Sequence, residues 1–419
     1  MPDSFYLRVP VEAVTLGMYV HELCGSWMDH PFWRKRFLLE DPDDLRRLRE
    51  SGIREVLIDP SRGLSPRPAL VPEAEPETDV APEPAAEPVA QPIPARRSLE
   101  HELRTARRLC ARSKQAVMAM FSDARMGKVV DAEQAVELVA EITESVLRHP
   151  NALISLARLK HADEYTYMHS VAVCALMIAL ARQLDMDDSL VREAGLAGLL
   201  HDIGKMQVPL AVLNKPGRLE EHEFASVREH PRRGADILIQ GRQVGALVLD
   251  VCLHHHEKLD GSGYPHRLAG EQISLFARMG AICDIYDAIT SDRPYKAGWD
   301  PAESIRRMNQ WCGSHLDEQV FRAFVKCLGI YPVGSLVRLE SERLAVVMDQ
   351  HVESLLTPTV KVFYSARTRA AIPQEVLDLA QLKGRERIVG RESPAQWGFG
   401  NLESLWSGLD RRRGSLFDG

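Results

Sequence analysis

The spacing of apolar residues divides the chain into three regions with different expected secondary structure. Near the N-terminus, the strand-like segments FLLE and REVLID flank a short helix, which Asp41 and Pro42 would begin as N-cap and first helical residue. Across residues 98–330 the spacing is almost entirely helical, and segments such as HSVAVCALMIALARQL are apolar on nearly every side, as in central helices of a bundle. After that region the period shortens to two in SLVRLE, LAVVMD and TVKVFYSA, which predicts a small β region.

A change of composition at residues 63–97 marks the clearest domain boundary. Pro, Ala and Glu alternate there, and such a segment cannot bury enough apolar surface to offset the entropy of ordering it. We therefore predict an extended linker and a mainly α protein with a multi-helix bundle. The predicted parts are a small N-terminal α/β regulatory domain at 1–62, the Pro/Ala/Glu-rich linker at 63–97, connecting helices at 98–149, the main helical domain at 150–335, and a short C-terminal β appendage with a tail at 336–419.

Composition and charge exclude several classes of protein. The 419 residues are 45% apolar and carry a net charge of −7, which does not favour binding to a nucleic-acid polymer or an anionic membrane. No apolar run reaches the roughly 18 residues of a membrane span, and the N-terminus has no signal-peptide pattern. The seven cysteines are dispersed without a CxxC pair, which suits a reducing compartment. We expect a cytoplasmic protein.

Histidine and aspartate recur in the helical region at intervals of about one helix and one connection. The gaps along the series His169, His201, His230, His255 and Asp284 are 32, 29, 25 and 29 residues. Each side chain would therefore come from a different helix and point into the interior of the bundle, where helical bundles build metal sites.

These residue types suit the hydrolysis of a phosphodiester. The substrate is anionic and free water has a pKa of about 15.7, so the reaction needs charge neutralisation and an activated water, which two metal ions roughly 3.5–4 Å apart supply. Asp202 in LLHDIGK is the natural bridging ligand, because a carboxylate can bind two ions and a neutral imidazole cannot. A single buried histidine such as His169 is more often a hydrogen-bonded core residue. The metal hypothesis depends on the whole set, since each buried polar group left unpaired costs roughly 1–3 kcal/mol.

Three motifs, HDIGK, HHEKLDGSGYP and DIYDAITSDRPYK, follow one another in this order. Together they resemble the HD-GYP family, the branch of the HD metal-phosphohydrolase superfamily that degrades the bacterial second messenger cyclic di-GMP. The resemblance covers about residues 150–335 and implies an HD-type bundle that converts cyclic di-GMP to pGpG, with GMP as a further product. The N-terminal residues and the linker also resemble a small domain of unknown function that often precedes HD-GYP domains.

The resemblance implies a binuclear centre of two divalent ions, for which Fe, Mn, Ni and Co are candidates. The implied ligands of one ion are His169, His201, Asp202 and Asp284. The implied ligands of the other are Asp202, His230, His255 and His256. Some family members bind a third ion through a glutamate four residues before the first histidine, where this chain has Tyr165, so we expect two ions.

The resemblance also implies catalytic roles for Asp202 and Lys205, with Lys205 stabilising charge on the phosphate oxygens. The implied substrate-binding residues are Lys205, Arg293, Lys296 and, in the GYP loop, Gly263, Tyr264 and Pro265. His254 precedes the HH pair of the family and is expected to pack or face solvent. Glu257 and Asp260 are expected to support the loop.

Two other functions stay open at this level. The domain could be an adaptor that binds cyclic di-GMP or a GGDEF protein without turnover, although the complete ligand set argues against a degenerate site. It could also be an HD hydrolase of another nucleotide, against which the DGSGYP and SDRPYK stretches weigh. In the family the GYP loop is implicated in contacts with GGDEF cyclase domains, and DGSGYP is in any case a turn sequence.

Overall fold

The computed structural model separates into two units, residues 1–92 and 93–419. The described residues are 6–24, 37–39, 41–50, 54–60, 62–64, 99–129, 132–159, 165–215, 217–241, 244–292, 298–351, 354–400 and 402–407. The predicted linker at 63–97 lies outside them except for its first two residues.

The N-terminal unit is a four-stranded antiparallel sheet with one helix. Its elements are β1 (Leu7–Pro10), β2 (Tyr19–Cys24), β3 (Phe37–Leu38), α1 (Pro42–Glu50) and β4 (Glu55–Ile58), and the strand order is β1-β4-β2-β3. The predicted strand–helix–strand pattern is present as β3, α1 and β4, and the helix begins at Pro42 as expected. Strands β1 and β2 were not predicted. Leu48 of α1 is fully buried against the sheet residues Val20, Val56 and Ile58.

The second unit contains a helical bundle that confirms the predicted mainly α fold. Its helices are α2 (Leu99–Arg125), α3 (Ala132–Arg148), α4 (Pro150–Arg158), α5 (Tyr165–Gln183), α6 (Asp188–Leu200), α7 (Leu210–Leu213), α8 (Glu221–Arg228), α9 (His230–Gly241), α10 (Ala246–His254), α11 (Leu275–Thr290), α12 (Pro301–Asn309) and α13 (Glu318–Leu328). No helix in the described part of the chain is long and apolar enough to cross a membrane.

Helix α5 is the centre of this bundle because residues on all its sides are apolar. It packs against α2, α4, α6 and α11, and every residue from Met168 to Ala181 is buried. Asp187 is the N-cap of helix α6, and its carboxylate accepts hydrogen bonds from the backbone N–H groups of Ser189 and Leu190, both at 3.0 Å. The helix therefore has a defined start and ends immediately before the HD motif.

The predicted β appendage is a five-stranded antiparallel sheet. Its strands are β5 (Leu336–Leu339), β6 (Arg343–Asp349), β7 (Thr359–Ser365), β8 (Ala370–Asp378) and β9 (Ile388–Arg391), ordered β8-β7-β6-β5-β9 and followed by α14 (Pro394–Trp397) and α15 (Glu403–Ser407). Alternate residues of β6 face opposite sides: Leu344 and Val346 pack into the core of the bundle, whereas Ala345 and Val347 belong to a separate core on the other face. One face of the sheet thus extends the helical core.

A buried polar contact joins this sheet to the bundle. Asp349, at the end of β6, accepts hydrogen bonds from His149 Nε2 at 3.1 Å and Asn151 Nδ2 at 3.3 Å, both at the start of α4. Burial by itself raises the pKa of Asp349, but the hydrogen bond and charge of His149, together with hydrogen bonds from Gln350 and Asn151, outweigh burial and hold the pKa below its ordinary value.

We expect Asp349→Ala to lower the free energy of unfolding by about 1–3 kcal/mol at pH 7, because it leaves His149 buried without this acceptor. A carboxyl with a depressed folded-state pKa stabilises the fold above its unfolded pKa and loses that effect as the pH falls through the folded pKa. The difference between variant and wild type should therefore shrink below about pH 4. Urea denaturation across pH tests this. Glu340→Ala, in an exposed ion pair with Arg387, is the control and should cost under about 1 kcal/mol. An unchanged stability of the Asp349 variant would contradict the expectation.

Candidate metal centre

Helix ends deliver most of the candidate ligands to one point in the bundle. His201 caps the C-terminus of α6, Asp202 precedes a 3-10 turn at Ile203–Gln207, and His230 is the first residue of α9. His255 and His256 directly follow the last residue of α10. His169 and Asp284 instead lie within α5 and α11. The seven predicted ligands, from five separate segments of the chain, converge.

The Asp202 carboxylate lies between two groups of imidazoles. Its Oδ2 is 3.4 Å from Nε2 of His169 and 3.4 Å from Nε2 of His201. Its Oδ1 is 3.2 Å from Nε2 of His230 and 3.8 Å from Nε2 of His255. One oxygen therefore faces each group, as a carboxylate must if it is to bridge two cations.

Asp284 lies beside the group that contains His169 and His201, and His256 belongs to the group that contains His230 and His255. Asp284 Oδ1 is 3.0 Å from His169 Nε2 and 4.0 Å from His201 Nε2, while Oδ2 is 3.8 Å from His256 Nδ1. Two sets of donors have ligand atoms within 4.8 Å of one another. They are His169, His201 and Asp202 in one set, and Asp202, His230, His255 and His256 in the other.

Backbone carbonyl groups determine which nitrogen of three histidines carries the proton. A carbonyl oxygen can only accept a hydrogen bond, so each Nδ1 must donate, and in the neutral form of each ring the Nε2 then has a lone pair directed at Asp202. The Nδ1-to-oxygen distances are 2.8 Å from His201 to Gly198, 2.7 Å from His230 to Val227, and 3.0 Å from His255 to Val251. This is the tautomer that binds metal through Nε2.

The polar atoms at the centre fit a cation better than they fit one another. Among the described residues, His201 Nε2 and Asp202 Oδ1 are buried without a hydrogen-bond partner. The Nε2 atoms of His230 and His255 face each other at 3.3 Å although both carry lone pairs. Buried acceptors without donors are costly, and positive charge on both sides of Asp202 would satisfy all four atoms.

The electrostatics of the cluster favour positive charge at its carboxylate side. Burial by itself lowers the pKa of His169, but hydrogen bonds to Asp202, Asp284 and Asp287 raise it to about 10. Burial raises the pKa of Asp202, yet Lys205 and the imidazoles hold it well below its usual range. On the other side, burial lowers the pKa of His256 to about 3 despite the opposing charge of Asp284, so that ring stays neutral and able to bind metal.

Asp287 is a functional residue that the sequence argument missed. Its carboxylate accepts a hydrogen bond from His169 Nδ1 at 2.6 Å, so the Nε2 of His169 is directed toward Asp202 and Asp284. A carboxylate that orients a ligating histidine in this way is typical of metal sites. The sequence carried one indication of this role. Asp287 follows Asp284 by three residues, so the two lie on the same face of the helix.

The predicted substrate-binding residues are only partly described. Lys205 Nζ contacts the carboxylate of Asp202, and about a quarter of the lysine side chain is exposed (23%). Arg293 and Lys296 lie outside the described residues, as does the side chain of Tyr165.

The GYP loop lies directly against the cluster. The ring of Tyr264 is 4.7 Å from the ring of His256. Gly261 has the positive φ, +74°, that the turn predicts, whereas Gly263 is needed for a different reason: a Cβ there would lie 2.5 Å from the backbone of Glu257. The Glu257 carboxylate accepts the backbone N–H groups of His266 at 2.6 Å and Leu268 at 3.1 Å, so it supports the loop as expected.

His254 is not a member of the cluster. Its Nδ1 donates to Asp250 at 2.7 Å, and its Nε2 lies 2.9 Å from Nδ1 of His266 in the loop. His254 therefore connects α10 with the residue that follows the GYP motif.

Comparisons with known proteins agree with this geometry. A family model described as an HD domain matches residues 141–320, and one for a domain of unknown function, DUF3391, matches residues 6–135. The chain is 62% identical over 413 residues to a cyclic di-GMP phosphodiesterase of Pseudomonas aeruginosa, with 98% of each chain covered. It is 41% identical to a cyclic di-GMP phosphodiesterase response regulator of Xanthomonas campestris, over 39% of this chain and 43% of the relative. It is 38% identical to a 3'3'-cGAMP-specific phosphodiesterase of Vibrio cholerae, over 39% of this chain and 38% of the relative.

The bundle and its histidine–aspartate cluster define an HD-domain protein with a site that can bind metal. More narrowly, the chain belongs to the HD-GYP family, with an N-terminal domain of the DUF3391 type. The family and the HD-type fold predicted from the motifs are thereby confirmed.

We expect Asp287→Ala to weaken the binding of Mn²⁺ about 10- to 100-fold, because His169 loses the acceptor that fixes its ring. Competition with a chelator measures the affinity, and thermal unfolding checks the fold. Asp236→Ala, at an exposed position of α9, should bind as the wild type does. Equal affinities for all three proteins would exclude a positioning role for Asp287.

Proposed function

We propose that this protein is a phosphodiesterase that hydrolyses cyclic di-GMP to pGpG, with GMP as the product of a second hydrolysis. The observation that carries the proposal is the buried Asp202 carboxylate, each of whose oxygens faces a separate pair of imidazoles. The relative that is 62% identical over nearly the whole chain is a cyclic di-GMP phosphodiesterase, which supports this substrate.

We further propose that the centre holds two divalent ions, with Fe, Mn, Ni or Co as candidates. The proposed ligands of the first ion are His169, His201, Asp202 and Asp284. The proposed ligands of the second are Asp202, His230, His255 and His256. The division follows the two sets of donor atoms on either side of Asp202, and Asp284 is added to the first set because its Oδ1 lies 3.0 Å from His169 Nε2. All are nitrogen or oxygen donors, which suits first-row transition metals.

The protein residues divide the catalytic work between binding and orientation. When bound, the metal ions neutralise charge on the phosphate and lower the pKa of water. Asp202 and Asp284 hold the negative charge that attracts the ions, and the buried imidazoles exclude bulk water from their far side. Lys205, partly exposed at the edge of the cluster, places a positive charge where non-bridging phosphate oxygens would lie. Tyr264 covers His256 and forms part of the wall that a substrate would contact.

We also propose that the GYP loop contacts GGDEF proteins and that the protein acts in the cytoplasm. Ser262, His266 and Arg267 are exposed on this loop, so a partner could reach them without disturbing the cluster.

Cys110, Cys174, Cys252 and Cys283 are buried free thiols, which suits a reducing compartment.

Replacing both His201 and Asp202 with Ala should reduce release of pGpG from cyclic di-GMP by more than about 100-fold, because both donor sets lose a ligand. Removing even a residue that supports a ligand lowers metal affinity or activity roughly 10- to 100-fold. Chromatography of product formed by anaerobically prepared protein with Mn²⁺ or Fe²⁺ measures this. The matched control is His222→Ala with Asp236→Ala, an exposed histidine and aspartate on α8 and α9. Wild-type turnover by the His201/Asp202 variant would refute the assignment.

The same assay separates the alternatives. Tight binding of cyclic di-GMP without product in Mn²⁺, Fe²⁺, Co²⁺ or Ni²⁺ would favour an adaptor. Turnover confined to another nucleotide in a substrate panel would favour a different HD hydrolase.

A further inference from the structure

Helix α8 carries an aromatic ring that the fold does not use. None of its residues is buried, and the side chain of Phe224 is 48% exposed. The helix ends at Arg228, two residues before the candidate ligand His230. Single exposed apolar side chains are common on protein surfaces, but this ring lies beside the guanidinium of Arg228.

Arg228 connects this ring to the GYP loop. Its guanidinium carbon lies 4.8 Å from the centre of the Tyr264 ring and 5.8 Å from that of Phe224. Tyr264 in turn stacks near His256 at 4.7 Å, so two ring contacts separate Arg228 from the candidate metal centre. From the cluster outward, the contacts therefore lead from Tyr264 to Arg228 and then to Phe224.

Within the described part of the chain, no carboxylate forms an ion pair with Arg228, although arginines elsewhere, such as Arg278, Arg306 and Arg338, have acidic partners. A guanidinium that stacks on an aromatic ring keeps its N–H groups at its edge available. These N–H groups form a planar fork that matches two adjacent acceptors.

We propose that Arg228 and Phe224 form a nucleobase subsite that selects guanine over adenine in the dinucleotide substrate. The inference rests on the proposed function and names a specificity determinant for it. Guanine presents two acceptors, N7 and O6, on one edge, which the fork of Arg228 can bind together. Adenine presents an acceptor and a donor there and cannot satisfy the fork. The exposed ring of Phe224 offers a stacking surface that accepts any base.

Four variants separate base recognition from contact with a phosphate. We expect Arg228→Ala to raise the Kd for cyclic di-GMP about 10- to 100-fold and leave that for cyclic di-AMP within about twofold. Arg228→Lys keeps the charge but not the fork and should also lose the preference for guanine. Phe224→Ala should weaken both dinucleotides, each by about 5-fold or more. Arg218→Ala, an exposed arginine before α8, is the matched control and should bind both as the wild type does.

Hydrolysis of bis(p-nitrophenyl) phosphate, which has no nucleobase, is measured for the same proteins and should change less than about twofold. Equal weakening of both dinucleotides and of this substrate by Arg228→Ala would identify a phosphate contact and overturn the proposal. Unchanged binding in Arg228→Ala, or in Phe224→Ala, would also overturn it. Because Kd is measured apart from turnover, the two proposals can fail separately. A protein that binds guanine selectively but hydrolyses nothing would refute only the proposed function. A protein that hydrolyses cyclic dinucleotides without base preference would refute only the nucleobase subsite.

Discussion

The structure depends on compensating the charge of two aspartates in an apolar interior. Asp202 and Asp284 lie where α5, α6 and α11 meet, and both are almost inaccessible to solvent. An isolated buried carboxylate would be strongly unfavourable, and the surrounding imidazoles and Lys205 offset that cost here. The apolar helices keep the carboxylates close together, and the low polarity of their surroundings strengthens every interaction with a cation.

Helix termini supply the geometry of the site. Carbonyl groups near the C-terminal ends of α6, α8 and α10 accept the Nδ1–H of His201, His230 and His255. These hydrogen bonds direct three Nε2 atoms at Asp202. The GYP loop is attached to this arrangement through Glu257 and His254, so the loop and the cluster form one connected structure.

Much of the fold could be predicted because its signals are local. Apolar spacing identified the helical region, the change to a two-residue period identified the β appendage, and Asp41 with Pro42 marked the start of α1. Strands β1 and β2 were missed although they are no shorter than the predicted strands β3 and β4. What stabilises them is their pairing with β4, a contact with residues far along the chain. The steric constraint on Gly263 is also a tertiary one, because it comes from the backbone of Glu257 and not from a positive φ.

The amino-acid sequence by itself determined the family, the helical architecture and the identity of the seven candidate ligands, because their types, order and spacing are visible in the motifs. Only the tertiary structure decided which oxygen of Asp202 faces which imidazoles, that Asp287 orients His169, and that Arg228 stacks on Tyr264. The physical reason is distance along the chain. Spacing reports which face of its own helix a side chain occupies, whereas these contacts arise from helices packing together across gaps of 25 residues or more.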